Sequence, residues 1–298
     1  MKNEIKNLQK GSRIRIVAPA KTIDKSSVDF AKKVLEEKGY HVEISKNCLG
    51  SFHFFSGTIH ERLNDFQEAL DDTSIDAIFC ARGGYGCVQI VDLIQWASFL
   101  RNPKWIIGYS DITFLHSHIH LLEQSSIHGT VPLNFENNTP EALDSLFNAL
   151  EGKKNTYTFT SCPQNQLGKL EGEIVGGNLS ILYSLLGTND AIDYTDKILF
   201  FEDLSEALYS IDRMMYAFKK AGIFEVIKGL VVGGMTGLKD SEPPYGMTYK
   251  EIIKSHFLYN NIPLCFDFPS GHIDDNRAII FGEKVKIDIS AEKVVFEQ

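Results

Sequence analysis

The 298-residue chain is long enough for one large domain or two modest ones, and its 43% apolar and 23% charged content is ordinary for a globular protein. Thirty basic against 39 acidic residues leave a formal charge of −9, which offers no basic face to nucleic acid. Met1 to Lys10 lacks the apolar core of a secretory signal, and no run approaches the roughly 18 apolar residues of a bilayer span. A cytoplasmic protein without a membrane partner is therefore expected.

In chain order, Arg13 to Ala18 reads as a strand ending at Pro19. Residues 26–38 place Val28, Ala31, Val34 and Leu35 on one helical face, and Gly39 closes that helix. A strand at His41 to Ile44, a helix over 59–71, a strand at Asp76 to Cys80 and a helix from Cys87 to about Phe99 follow. The strand Lys104 to Ile107 then leads into a helix from about Asp111 to Glu123. Strands alternating with such helices predict βαβ units and a mostly parallel, doubly wound sheet over residues 1–135. Ligands gather beyond the carboxyl ends of strands in such sheets, which directs attention to the loops after Cys80 and Ile107.

Residues 136–170 are polar, carry turn residues and one short helix, and read as a linker. From 171 to 298, strands at Gly172 to Val175, Ile198 to Phe201 and Gly229 to Val232 alternate with helices at 178–187 and 206–221. The end carries short β runs at Ala278 to Phe281, Val285 to Ile289 and Lys293 to Phe296, which predicts a smaller, β-rich α+β domain. The five cysteines, Cys48, Cys80, Cys87, Cys162 and Cys265, are widely spaced, form no CxxC pair and read as small core residues.

The segment Trp105 to Thr113 runs from an apolar strand into a helix with Ser110 at the corner. A serine there presents its hydroxyl beside the orphan amides of a first helical turn, the logic of a nucleophile elbow. Gly-Tyr-Ser-Asp-Ile meets only half of the G-x-S-x-G pattern, and taken alone this segment favours a serine that simply caps the helix. Arg82-Gly83-Gly84-Tyr85-Gly86 follows the strand ending at Cys80, and its glycines let backbone amides face a ligand. Such a loop is either a plain turn or a binding site that can supply one oxyanion donor beside the amide of Asp111. It is neither a P-loop nor GxGxxG, and the turn after Val17 has no glycine fingerprint, which speaks against a nucleotide-dependent oxidoreductase.

A serine nucleophile needs a base, and nine histidines are present. His116 and His120 share a helical face, but no Glu lies between them as in HExxH, so no metal is expected there. His128 ends a strand and is a possible cleft residue. His272 lies in the turn-rich segment Phe268 to Asn276, where it is either a base or an exposed loop histidine. The apolar strand Ile198 to Phe201 terminates in Glu202 and Asp203, and alternation sends one carboxylate inward and one outward. A carboxylate at that position can fix the tautomer of an imidazole, or serve the next helix as a structural charge.

Taken in order, Ala81 to Gly86, Gly108-Tyr109-Ser110-Asp111, Gly176-Gly177-Asn178-Leu179, Phe201-Glu202-Asp203 and Gly271-His272 resemble the motifs of the LD-carboxypeptidase family of serine peptidases. The resemblance implies a Rossmann-like parallel-sheet N-terminal domain, a β-rich C-terminal domain and a groove between them. It implies Ser110 as nucleophile, His272 as base and Glu202 as its orienter, with oxyanion donors at Asp111 and Gly83. Arg82, Gly84 and Asn178 are the expected substrate contacts, Arg82 either gripping a terminal carboxylate or tied up in a structural salt bridge. No cofactor, a muropeptide substrate and a homodimer are also implied. Microcin-immunity members of the same family, which hydrolyse peptidyl or aminoacyl adenylates, share these residues. A non-catalytic peptide-binding protein is the alternative of another class.

Overall fold

A computed structural model describes residues 4–298. The chain divides into two units, the first running to Lys153 and reclaiming Asp274–Ile280, the second comprising Lys154–Ile273 and Phe281–Gln298.

The first unit contains β1 (Arg13–Val17), α1 (Lys25–Glu37), β2 (His41–Ile44), α2 (Ile59–Asp71), β3 (Ala77–Cys80) and α3 (Ala97–Arg101). β4 (Trp105–Gly108), α4 (Thr113–Leu121), β5 (Ser126–His128) and α5 (Pro140–Leu150) complete it before the chain leaves. Its sheet runs β5-β4-β3-β1-β2 in parallel pairings. Alternate residues of these strands, Ile14, Ile16, Ala77, Phe79, Trp105 and Ile107, form one core with Val28, Ala31 and Leu35 of α1 and Leu146, Phe147 and Leu150 of α5. Strand order reverses at β1, so the carboxyl ends of β1 and β3 form the topological switch point.

Two expectations change here. Residues 140–150 are not linker: the apolar face of α5 is buried in the first core, and Thr139 caps the helix by accepting the Ala142 amide. The helix expected from Cys87 to Phe99 is two short 3-10 turns at Cys87–Gln89 and Val91–Leu93 followed by α3. Tertiary hydrogen bonds hold this segment instead, from the Cys87 amide to Asp111 and from the Gln95 amide to Gln67.

The second unit contains β6 (Thr156–Thr160), β7 (Gly168–Asn178), α6 (Leu179–Leu185), β8 (Ile198–Leu204), α7 (Leu208–Lys220) and α8 (Ile223–Val226). Then come β9 (Gly229–Thr236), α9 (Tyr249–Ser255) and β10 (Leu264–Cys265). After β11 (Ile279–Phe281), which adds to the edge of the first sheet beside β5, the chain closes with β12 (Lys284–Ile289) and β13 (Lys293–Glu297). The β-rich end is thus shared: the run at 279–281 belongs to the first sheet, and the other two belong to the second.

The second sheet has the order β10-β9-β8-β7-β12-β13-β6. β7 joins its halves, pairing antiparallel with β12 through Gly168–Glu173 and parallel with β8 through Ile174–Asn178. The parallel half carries α6, α7 and α9 over a core of Val175, Leu199, Phe201, Leu230, Val232, Met215 and Phe218.

Candidate active site

In the first unit, every residue of β4 is buried, and Tyr109 continues in extended backbone at φ −152°. Ser110 then adopts φ 64°, left-handed backbone that a non-glycine residue enters at a cost. This is a strand-to-helix elbow, and the turn that begins at Ser110 has no side-chain cap among the described residues. Gly108 is required by the turn, since a Cβ there would lie 2.7 Å from Ile112 Cγ1. His116 braces it from α4: Nε2 meets the Gly108 carbonyl at 2.9 Å and Nδ1 the Ser126 hydroxyl at 2.8 Å. Burial pushes the imidazole pKa down to about 4, so the ring is neutral and Nε2–H donates to Gly108.

The glycine loop is held against this elbow. A Cβ at Gly83 would lie 3.1 Å from the Asp111 amide nitrogen and 3.1 Å from Ser110 Cβ. Backbone groups of Gly83 and the orphan first-turn amide of Asp111 therefore flank the same point beside the serine. The Asp111 side chain points the other way: its carboxylate, 2% exposed as a residue, accepts the Cys87 amide at 2.8 Å. Burial raises its pKa, offset in part by that amide.

Arg82 donates to the Thr22 carbonyl at 3.1 Å, while its buried Nε has no partner. Among the described residues it forms no ion pair, so the salt bridge weighed from sequence is not formed. Gly84, at φ 113°, lies between Lys21 and Arg82: a Cβ there would be 3.2 Å from Lys21 Cβ and 3.9 Å from an Arg82 Nη.

In the second unit, Glu202 is 0% exposed and accepts His272 Nδ1 at 2.5 Å, as well as the His272 backbone amide at 3.2 Å. Gly271 makes this approach possible, for at φ 112° a Cβ would lie 2.7 Å from Glu202 Cβ. Burial lowers the His272 pKa, but the charge and hydrogen bond of Glu202, with Asp203 behind it, leave it raised. Among the described residues, no group of three or more His, Cys, Asp and Glu is arranged to hold a metal ion.

The sequence expectation that one of Glu202 and Asp203 faces outward fails. Both are buried, because β8 is covered on both faces: Ile198 to Asp203 are all buried without alternation, and register also shifts between Phe201 and Asp203 in the pairing with β9. Asp203 accepts the Ser180 amide at 2.9 Å and the Asn178 side-chain amide at 2.9 Å. Burial drives its pKa up to about 6. Asn178, expected from the sequence as a substrate contact, is 3% exposed, with Nδ2 shared between Asp203 and Glu202 and Oδ1 capping α6. Its position is beneath the carboxylates. His128, expected at a cleft, is fully buried in β5.

Residues 14–129 match the LD-carboxypeptidase N-terminal domain and residues 171–287 the LD-carboxypeptidase C-terminal domain. The chain belongs to the LD-carboxypeptidase family. It is 32% identical to a probable murein peptide carboxypeptidase of Bacillus subtilis, over 98% of this chain and 93% of that one. It is 27% identical to the murein tetrapeptide carboxypeptidase of Pseudomonas aeruginosa, over 93% of each. The microcin C7 self-immunity protein MccF of Escherichia coli, a family relative, is 24% identical over 93% of this chain and 90% of its own. The fold is shared with a crystal structure of muramoyltetrapeptide carboxypeptidase from Oxalobacter formigenes, with TM-score 0.88 and 24% identity over 96% of this chain and 98% of that one.

No sequence signal had marked His116 as the brace of the elbow, or Asn178 and Asp203 as a buried shell around Glu202. Their partners come from other elements, and local patterns do not carry that information.

Proposed function

We propose that the protein is a serine carboxypeptidase that hydrolyses the amide between an L-centre and a terminal D-amino acid in muropeptides, with Ser110, His272 and Glu202 as its triad. The observation that carries the serine chemistry is the left-handed elbow at Ser110 with Gly83 against it. The substrate class follows from the murein carboxypeptidases among its relatives, to which it is similar over almost its whole length.

Glu202 holds Nδ1 of His272, so Nε2 takes the Ser110 proton as Oγ attacks the scissile carbonyl. The oxyanion is received by backbone amides of Asp111 and the glycine loop, Gly83 among them, each contributing on the order of 3 kcal/mol to lowering the barrier. His272 then protonates the departing D-alanine amine, and water, deprotonated by the same imidazole, releases the acyl group from Ser110. Arg82, with no ion pair among the described residues, grips the terminal carboxylate, and Gly84 lets Lys21 pack close beside it. Asn178 acts on Glu202 rather than on substrate.

The test is D-alanine release from the tetrapeptide L-Ala-D-Glu-meso-diaminopimelate-D-Ala by wild type, Ser110→Ala and Arg82→Ala. Release by wild type, lost in Ser110→Ala and with a raised KM in Arg82→Ala, is the expected result. Unchanged KM and kcat in Arg82→Ala would remove the carboxylate role. No release by wild type, with a fluorophosphonate probe still labelling Ser110, would keep the serine hydrolase and turn the search to adenylates.

A further inference from the structure

Arg62, in the first turn of α2, takes no part in the chemistry above, yet it is 2% exposed. A buried guanidinium is costly unless its donors are used. Here Nε donates to the Gly57 carbonyl at 3.1 Å, and Nη1 to the carbonyls of Pro19 at 2.8 Å and Gly86 at 3.0 Å. Nη2 donates to Gln89 Oε1 at 2.5 Å, and the fork lies 4.7 Å from the Phe55 ring centroid. None of these partners is a carboxylate. The cation joins three loops: the one after β1, the one before α2 and the end of the glycine loop after β3.

The last contact links Arg62 to the chemistry. Arg62 grips the Gly86 carbonyl, and the amide of the next residue, Cys87, donates to the Asp111 carboxylate, so the end of the glycine loop is tied to both. At φ 145° its missing Cβ would lie 2.7 Å from Arg62 Nη1, so the loop fits only as glycine. Three residues earlier in the same loop, Gly83 rests against Ser110 and the Asp111 amide.

We infer that Arg62 is a positioning residue that holds the Gly83–Gly86 loop in register with Ser110 and the Asp111 amide, setting the geometry of the oxyanion donors. The inference rests on the reading of Ser110 as the nucleophile. Misplacing such a donor by about 1 Å costs about 100-fold in rate without weakening ground-state binding. A residue that merely braced the fold would lower the melting temperature and leave kcat of the folded enzyme unchanged.

Arg62→Lys keeps the charge but offers one ammonium where a planar fork bridges three carbonyls and an amide. The measurements are the second-order rate of fluorophosphonate labelling, which needs no assumption about substrate, kcat and KM for D-alanine release, and thermal unfolding. The expected result is labelling and kcat lowered about 100-fold, with KM within about threefold of wild type. The milder variant Gln89→Ala, which removes a single anchor from the fork, is expected to lower the same two rates about fivefold. A folded Arg62→Lys enzyme with wild-type kcat and labelling, or with a raised KM alone, overturns the inference. If Arg62→Lys does not fold, Gln89→Ala decides, and unchanged rates there overturn it as well. Labelling that persists in Ser110→Ala removes the nucleophile reading, and this inference with it.

Discussion

Glu202→Gln keeps the shape of the side chain and removes its charge from a contact of 2.5 Å with His272 Nδ1, at a site where Glu202 is fully buried. Taking the charge centres as about 4 Å apart and an effective dielectric constant of about 20, the imidazolium formed at the transition state loses about 4 kcal/mol of attraction. At about 1.4 kcal/mol per tenfold, that is about a 1000-fold fall in kcat. The pH profile gives a second reading. As the proposed base, His272 has to be neutral, and Glu202 raises its pKa against the lowering effect of burial. The variant's acid limb of kcat/KM therefore moves to lower pH. In stability terms, a raised histidine contributes fully below its unfolded pKa of about 6.5 and loses that contribution as pH rises through the folded value. The stability gap between wild type and variant is then widest in acid and narrows toward alkaline pH. Steady-state kinetics and chemical denaturation across pH 5–9 test both. A fall in kcat of less than about tenfold, or an acid limb that does not move, would refute the role given to Glu202.

Ser110→Gly should abolish fluorophosphonate labelling yet stabilise the protein by about 1 kcal/mol, because glycine adopts φ 64° without strain; calorimetry would register a rise in Tm of about 2–4 °C. Gly83→Ala places a methyl group 3.1 Å from the Asp111 amide and should lower kcat by about 100-fold while the melting temperature changes little; a comparable loss in Tm would mean the loop is only structural. His116, neutral because burial lowers its pKa to about 4, costs stability as pH falls from about 6.5 toward 4, on the order of 3 kcal/mol. His116→Gln should flatten that slope in urea titrations, and an unchanged slope would show that the acid sensitivity lies elsewhere.

Much of the first unit could be read from periodicity. The helices at 25–37 and 59–71 and the strands at 13–17 and 77–80 fall within a few residues of where apolar spacing puts them. Ser110, Gly83 and His272 could be singled out because glycines and a strand-to-helix corner leave marks in local sequence. The linker reading of 136–170 failed where polarity misled: α5 shows a polar outer face, and only the place of Leu146, Phe147 and Leu150 in the first core reveals the apolar one.

Local pattern carries the period of an element and the conformations that glycine permits, so it determined the βαβ order, the elbow and the candidate side chains. It does not carry the choice of partner. That Glu202 and Asp203 are both inside depends on β8 being covered on both faces, and that Asn178 serves the carboxylates depends on the pairing of β7 with β8. Arg62 reaches carbonyls as far as 43 residues away in sequence, through loops placed by three different strands and helices. These assignments are long-range, and a buried polar group finds its partner only when the surrounding backbone has closed around it.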